Sequence, residues 1–349
     1  MIGELVGIQY LRGIAAVMVL LFHLPVQLGH MGYDGPWLRG LAGGVDIFFV
    51  ISGFIMWVTT ARAPAMRPID FWRRRLTRVA PLYWIMTGFV TLVMLLAPAA
   101  LQSSRFHPGH VLASFLFVAA RHPVAGTIEP VIIPGWTLNY EMFFYLIFGL
   151  FLLARPPWRF AGTVSCLLLL VVLGMMTGVP RSSIAGFYTS PVMLEFALGM
   201  AIGVLASRDR GLATIAPPMG WLLAIVGLIC VIVPPDLPDV SRLLTRGIFS
   251  AMVVLGAVVI EAHHRVPRIA PLHALGDASY SIYLSHVITL SATSQLWRKL
   301  HLDGLPYALW IYAIVAVAVG LVAGLVLYAV VERPLIALFR ARSRVCRET

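Results

Sequence analysis

Long apolar segments recur along this chain, and they restrict its fold more than any other feature. A helix needs about 20 apolar residues to cross a bilayer, and we predict about ten helices of that kind. The composition agrees, because only 12% of the residues are charged, against about 25% in soluble domains. The expected fold is therefore an all-α, polytopic membrane bundle. The predicted spans are residues 8–28, 41–60, 79–97, 135–153, 160–177, 191–206, 218–233, 247–262, 275–296 and 305–331.

The 26 Lys and Arg residues are distributed unevenly among the loops between these spans. Most of them fall in cytoplasmic loops if the chain begins in the cytoplasm, which is the usual bias of membrane proteins. We therefore predict a multi-pass protein of the bacterial inner membrane with both termini in the cytoplasm. The net charge of +11 then reflects topology, and nucleic acid is not an expected partner. One membrane domain is expected, with its core at residues 8–335 and a basic tail at 336–349.

The sequence gives no sign of a metal site or a disulfide framework. The three cysteines, Cys166, Cys230 and Cys346, are scattered, and the histidines of the loop at 97–134 lack a metal-ligand spacing. No metal cofactor is therefore predicted. Residues 112–120 are apolar but too short to span, so a re-entrant or interfacial helix is expected there.

Arg12 and His23 both lie in the first predicted span. Their separation is close to three helical turns, so the side chains share a face and lie about 16 Å apart along the axis. Arg holds phosphate with a bidentate fork, and His serves as a general base. The pair would suit a donor with phosphates at one end and a reactive thioester at the other. The alternative is an Arg that reaches the headgroups and a His that is hydrogen-bonded between helices.

Asp46 begins the second span and is predicted to lie at about the depth of His23. Its carboxylate either orients and charge-stabilises the imidazole or caps the helix. Ser52 and Gly53, in the same span, are expected to allow close helix packing.

Arg75 and Arg78 precede the third predicted span and are three residues apart, so they share a helical face. They either bind donor phosphates at the cytoplasmic mouth or only anchor the helix at the membrane surface. Glu141, in the fourth span, has no basic neighbour in sequence and needs a partner from another helix. Glu141 would bind sugar hydroxyls or take part in proton transfer, and Trp136 would stack on a sugar ring.

The ninth span contains Tyr283 and His286, which either pack between helices or support the site and its acceptor. Glu332, followed by Arg333 and Pro334, is interpreted as part of an ion pair that terminates the last span.

Several of these segments occur together in the order found in a known family. The chain resembles the acyltransferase-3 family of membrane acyltransferases over nearly its whole length. The segments that match are residues 11–16 with His23, 45–54, 74–81, 136–138 with Glu141, 280–286 and 332–334.

The resemblance implies an O-acetyltransferase that takes acetyl-coenzyme A from the cytoplasm as its donor. Members of the family acetylate exopolysaccharides, O-antigens, nodulation signals and antibiotics. The resemblance implies donor-binding roles for Arg12, Arg75 and Arg78, and it implies roles in the reaction for His23 and Glu141.

Gln9 stands near a place where many members carry an acidic residue, and in this it is similar to the exopolysaccharide-modifying members. We therefore expect an acceptor that is an exopolysaccharide or its lipid-linked precursor. Transfer is either direct or proceeds through an acyl intermediate on His23. The lipid bilayer, the glycan and other polysaccharide-assembly proteins are the expected partners. A transporter or flippase for lipid-linked sugars, and a sensor or scaffold without chemistry, are the alternative functions.

Overall fold

The computed structural model describes residues 5–63, 65–98, 105–208, 211–235, 241–264 and 266–339. Helices account for the regular structure of these residues, and a single isolated bridge pairs Arg121 with Ile128. The α-helices are α1 Val6–Gly29, α2 Gly44–Ala61, α3 Pro68–Leu96, α4 Pro108–Phe115, α5 Trp136–Leu150, α6 Pro156–Thr177, α7 Ile184–Tyr188, α8 Met193–Ala206, α9 Pro217–Ile232, α10 Ile248–His263, α11 Ala270–Asp277, α12 Ser279–Lys299 and α13 Ala308–Leu327.

Eight helical segments within the described residues are long and apolar enough to cross a membrane. The other two predicted spans correspond to α9, which has only 16 residues, and to α12, which has 21 residues but many polar side chains. The predicted all-α, multi-pass membrane fold is thus confirmed, with eight candidate spans where about ten were expected. Exposed apolar side chains on α6 and α13, such as Leu169 and Ile314, fit an environment of lipid.

The third span begins earlier than its apolar segment indicates. Pro68 occupies the first turn of α3 and Asp70 follows it, and both residues favour a helix start. Arg75 and Arg78 therefore lie inside the helix. The short apolar segment predicted not to span, residues 112–120, overlaps only the second half of α4, which has eight residues and ends at Phe115.

The interpretation of Glu332 as the end of the last span is wrong, because the helical segment continues to Phe339. A π turn at Tyr328–Glu332 follows α13. Pro334 is tolerated because it lies in the first turn after this π turn, where its missing N–H costs little.

The helices form two compact units, each built from two separate stretches of the chain. Unit 1 comprises Met1–Ile51 and Ala201–Val331, and unit 2 comprises Ser52–Met200 and Glu332–Thr349. The single membrane domain expected from the sequence stays a prediction. Most of the predicted basic tail, residues 340–349, lies outside the described residues.

In unit 1, α1 packs against α10, α11, α12 and α13. Leu20 and Leu24 of α1, Ile282 of α12 and Tyr312 of α13 form its buried core. The approach of α11 to α1 requires glycine, because a Cβ atom on Gly276 would lie 2.3 Å from the carbonyl oxygen of Gln9.

In unit 2, α3 packs against α4 and α5, and α5 packs against α6. Phe144 of α5 stacks on Phe196 of α8, with the ring centroids 4.4 Å apart. A Cβ atom on Gly53 would lie 2.0 Å from the carbonyl oxygen of Phe196. Gly53 therefore allows the close helix packing that was expected of it.

Candidate active site

Two histidines meet in unit 1, one from α1 and one from α12. His23 Nδ1 lies 3.2 Å from His286 Nε2, and the ring centroids are 4.8 Å apart. The same nitrogen of His23 is 2.9 Å from the carbonyl oxygen of Val19. His286 is fully buried, and its Nδ1 lies 2.5 Å from the carbonyl oxygen of Tyr283. The structure thus brings together three of the residues singled out from the sequence, His23, Tyr283 and His286.

Asp46 is held by an arginine that sequence reasoning treated only as a loop charge. Arg242 Nε donates to Asp46 Oδ1 at 2.9 Å, and Arg242 Nη2 donates to Asp46 Oδ2 at 3.0 Å. Asp46 is fully buried, whereas the Arg242 side chain is about one-third exposed. Both oxygens expected to orient His23 are therefore engaged by Arg242. A catalytic role for Asp46 stays a prediction.

Arg12 belongs to a chain of polar contacts that links α1 to α11. Its Nη1 donates to Gln9 Oε1 at 3.0 Å, and Gln9 Nε2 donates to Asp277 Oδ1 at 3.4 Å. Asp277 Oδ2 in turn lies 3.2 Å from His273 Nδ1. Gln9, the residue that departs from the acidic pattern, therefore lies between a cation and a carboxylate. The four-residue separation of His273 and Asp277 was a signal for this contact.

Glu141 is the centre of a polar cluster in unit 2. Its Oε1 accepts a hydrogen bond from Ser52 Oγ at 2.5 Å and another from the Tyr145 hydroxyl. Arg75 interacts electrostatically with both Glu141 and Tyr145. The partner from another helix that Glu141 was expected to need is thus present. Sequence reasoning missed Tyr145, although it follows Glu141 by four residues on one helix face.

Arg75 and Arg78 have different surroundings. The Arg75 guanidinium lies 5.6 Å from the centroid of the Phe71 ring, and its buried Nε finds no hydrogen-bond partner among the described residues. Arg78 Nη1 lies 3.5 Å from Oε1 of Glu332, which is buried. Glu332, which was interpreted from the sequence as the end of the last span, therefore forms an ion pair with Arg78 of α3.

Trp136 begins α5 and is half-buried. Its ring meets Tyr140 edge to face, with the centroids 5.8 Å apart. The role proposed for Trp136 in sugar stacking stays a prediction. In the part of the chain that the structure describes, no group of three or more His, Cys, Asp or Glu side chains is arranged to hold a metal ion.

Residues 5–329 match the family model of the acyltransferase domain of acyltransferase-3 proteins. The chain is 36% identical over 331 residues to the exopolysaccharide production protein ExoZ of Rhizobium meliloti, covering 93% of this chain and 96% of that protein. It is 28% identical over 298 residues to the putative membrane-bound transacylase BcsY of Komagataeibacter xylinus, covering 80% and 71%.

The peptidoglycan O-acetyltransferase OatA of Listeria monocytogenes is 26% identical over 337 residues, which cover 84% of this chain but only 52% of that relative. No solved structure matches the chain. The match to the family model extends over nearly the whole chain and includes the helices that carry both polar clusters. The chain therefore belongs to the acyltransferase-3 family and is a membrane acyltransferase.

Proposed function

We propose that this acyltransferase moves an acetyl group from acetyl-coenzyme A, bound from the cytoplasm, to a sugar hydroxyl of an exopolysaccharide or its lipid-linked precursor. The observation that carries the proposal is the half-buried imidazole of His23, whose Nδ1 contacts Val19 and His286. The similarity to ExoZ, which is named an exopolysaccharide production protein, supports the acceptor class. Family membership favours this enzyme over a transporter or a scaffold.

In the proposed step, the sugar hydroxyl oxygen attacks the thioester carbonyl carbon while His23 takes the hydroxyl proton. The carbon–sulfur bond then breaks, and the proton passes from His23 to the thiolate of coenzyme A. A general base of this kind contributes about 10²–10⁴-fold to the rate. In the second course, the unprotonated nitrogen of His23 attacks the thioester, and the carbon–sulfur bond breaks to release the thiolate of coenzyme A. The sugar oxygen then attacks the acetyl-imidazolium, the carbon–nitrogen bond breaks, and the sugar proton passes to the thiolate. Both courses need an unprotonated ring nitrogen on His23.

Arg75 and Arg78 are proposed to bind the phosphates of the donor, together with Arg12. The contact of 3.5 Å between Arg78 and Glu332 is an ion pair rather than a short hydrogen bond. A guanidinium has five N–H donors, so this contact leaves donors for a phosphate. Glu141 is proposed to bind acceptor hydroxyls through its carboxylate.

The proposal is tested with purified protein, radiolabelled acetyl-coenzyme A and a panel of lipid-linked glycans. We expect His23→Gln and His23→Ala to lower the rate of sugar acetylation at least about 10²-fold. Their thermal stability and donor affinity should stay near those of the parent. His30→Gln is the matched control, since His30 is an exposed histidine at the end of the same helix. Near-normal transfer by a well-folded His23→Gln protein would remove His23 from the reaction.

A further inference from the structure

A hydrogen bond to a backbone carbonyl determines which ring nitrogen of His286 carries the proton. His286 Nδ1 lies 2.5 Å from the carbonyl oxygen of Tyr283. A carbonyl oxygen only accepts hydrogen bonds, so Nδ1 must carry a proton. In the neutral ring, Nε2 then holds a lone pair and is an acceptor. The hydrogen bond to Tyr283 therefore makes Nε2 of a neutral His286 a hydrogen-bond acceptor.

The contact between His286 and His23 in turn determines which nitrogen of His23 carries the proton. His286 Nε2 lies 3.2 Å from His23 Nδ1, so an acceptor on His286 requires a donor on His23. The carbonyl oxygen of Val19, 2.9 Å from the same nitrogen, requires a donor as well. Two independent acceptors thus place the proton of a neutral His23 on Nδ1. The lone pair of His23 is then on Nε2.

We propose that His286 is a positioning residue that holds His23 in the Nδ1–H tautomer, which makes Nε2 the nitrogen that acts in acetyl transfer. This inference rests on the proposed function for the part that concerns the reaction. A comparable role belongs to the aspartate of serine hydrolases, which holds the catalytic histidine in one tautomer and stabilises its imidazolium. In this chain the carboxylate oxygens of Asp46 are held by Arg242, and an imidazole contacts His23 instead.

The proton balance follows from this arrangement. When the sugar hydroxyl attacks the thioester, its proton moves to His23 Nε2, and the ring becomes an imidazolium. Its Nδ1–H remains donated to His286 Nε2 and to Val19. The proton then leaves from Nε2 to the thiolate of coenzyme A, and His23 returns to the same tautomer. His286 neither gains nor loses a proton.

Two amide substitutions separate this role from packing. The amide of Gln reaches about as far as Nε2 of a histidine, so His286→Gln retains an acceptor for His23. The amide of Asn reaches about as far as Nδ1, so His286→Asn retains the contact with Tyr283 and loses the acceptor. Both variants are polar amides at one buried site. Ser285→Ala, at the neighbouring buried residue whose hydroxyl bonds the Ser281 carbonyl, controls for disturbance of the helix.

We expect His286→Asn to lower kcat on the order of tenfold or more, comparable to the loss when the outer hydrogen-bond partner of a metal-bound histidine is removed. His286→Gln and Ser285→Ala should stay close to the parent, and KM for the donor should change in none of them. An Asn variant as active as the Gln variant, or equal losses in both with equal losses in Tm, would overturn the proposal.

A second measurement does not depend on activity. Nitrogen NMR of protein labelled with ¹⁵N-histidine reports the tautomer of His23, whose signals are identified by their loss in His23→Gln. We expect the Nδ1–H form in the parent and in His286→Gln. In His286→Asn only the Val19 carbonyl still favours that form, so the share of the Nδ1–H tautomer should fall and the Nε2–H tautomer should become detectable beside it. The Nε2–H form in the parent would overturn the inference. A parent that shows the expected tautomer but transfers no acetyl group would instead contradict the proposed function.

Discussion

At the scale of single residues, two buried carboxylates of the described chain, Asp46 and Glu332, are each held beside an arginine. Asp46 is bound by Arg242 through two hydrogen bonds, and Glu332 lies against Arg78. A charge in a low-dielectric interior is costly unless it is paired, and removal of one partner leaves the other uncompensated. The effect of a substitution at any of these residues on activity or binding must therefore be compared with its effect on the stability of the fold.

The proposed donor site is tested at Arg75 and Arg78. We expect Arg75→Ala combined with Arg78→Ala to weaken coenzyme A binding at least tenfold, because each charge-assisted hydrogen bond contributes about 1.5–3 kcal/mol. Glu332→Gln is added to both the variant and its reference protein, so that the buried carboxylate of Glu332 is not left without Arg78. The measurement is a binding titration with purified protein.

The same helix supplies the control for this experiment. Arg73 and Arg74 are exposed on α3, and Arg73→Ala with Arg74→Ala removes the same amount of charge close by. This pair should leave coenzyme A affinity unchanged. Equal weakening of coenzyme A binding by both pairs would show a general effect of surface charge. If neither pair weakens binding, Arg75 and Arg78 only anchor the helix at the membrane surface.

The sequence identified polar residues in apolar spans but not which of them meet. Arg12 and His23 share one helix, so their spacing was readable from the sequence. Asp46 and Arg242 are 196 positions apart, and no local pattern links them. The pairing of Asp46 with Arg242 was therefore not predictable, since predicted depth in the membrane does not specify a contact. Tyr145 was within reach of the sequence, because it follows Glu141 by one helical turn.

At the scale of secondary-structure elements, the apolar segments identified the helices well and their ends less well. The first three turns of α3 carry most of its polar residues and lay outside the predicted span, although Pro68 and Asp70 are helix-start signals. Hydropathy marks where a helix lies in lipid, whereas hydrogen bonding decides where it begins. The difference matters because Arg75 and Arg78 occupy those turns.

The segment between α4 and α5 contains a buried histidine, His122. Its Nδ1 accepts a hydrogen bond from the backbone N–H of Ala125 at 3.1 Å. Burial lowers the pKa of His122 below its ordinary value of 6.5, His110 lowers it further, and Glu129 opposes the shift. The unfolded segment therefore takes up a proton at a higher pH than the folded one. Its stability is complete above the unfolded pKa and is lost as the pH falls through the folded pKa.

We expect His122→Asn to reduce this dependence on pH, because the amide oxygen replaces Nδ1 as the acceptor and does not titrate. The measurement is Tm between about pH 7.5 and about pH 5, in which the parent should lose more stability than the variant as the pH falls. His264→Asn, at an exposed histidine, should follow the parent. Parallel curves for the parent and His122→Asn would assign the pH dependence to other groups.

At the scale of the whole molecule, the family match and the apolar helices were predictable, but the two units were not. Each unit combines two distant stretches of sequence, and hydropathy treats every span alike. Hydropathy alone does not distinguish eight spans from ten, because α9 is short and α12 is polar. The side of the membrane on which the loop between α10 and α11 lies distinguishes them.

Single cysteines in a protein without Cys166, Cys230 and Cys346 make that decision. With ten spans and a cytoplasmic N-terminus, Ala125→Cys should react with an impermeant reagent added from outside, and Ala270→Cys should not. If α9 and α12 do not cross, Ala270→Cys becomes reactive from outside. Ala65→Cys lies before α3 and should be protected with either count. Labelling at Ala65→Cys without labelling at Ala125→Cys would invert the topology.

The polar composition of α12 has a consequence for biosynthesis. Helices enter the bilayer from the translocon according to their own apolarity, and polar side chains at the centre of a segment oppose entry. α12 carries His286 and several buried serines, and it packs against α1 and α13. α13 is strongly apolar and is made after α12. Stable entry of α12 is therefore expected to wait for α13, so that the helix that carries His286 is among the last to assemble on the nascent protein.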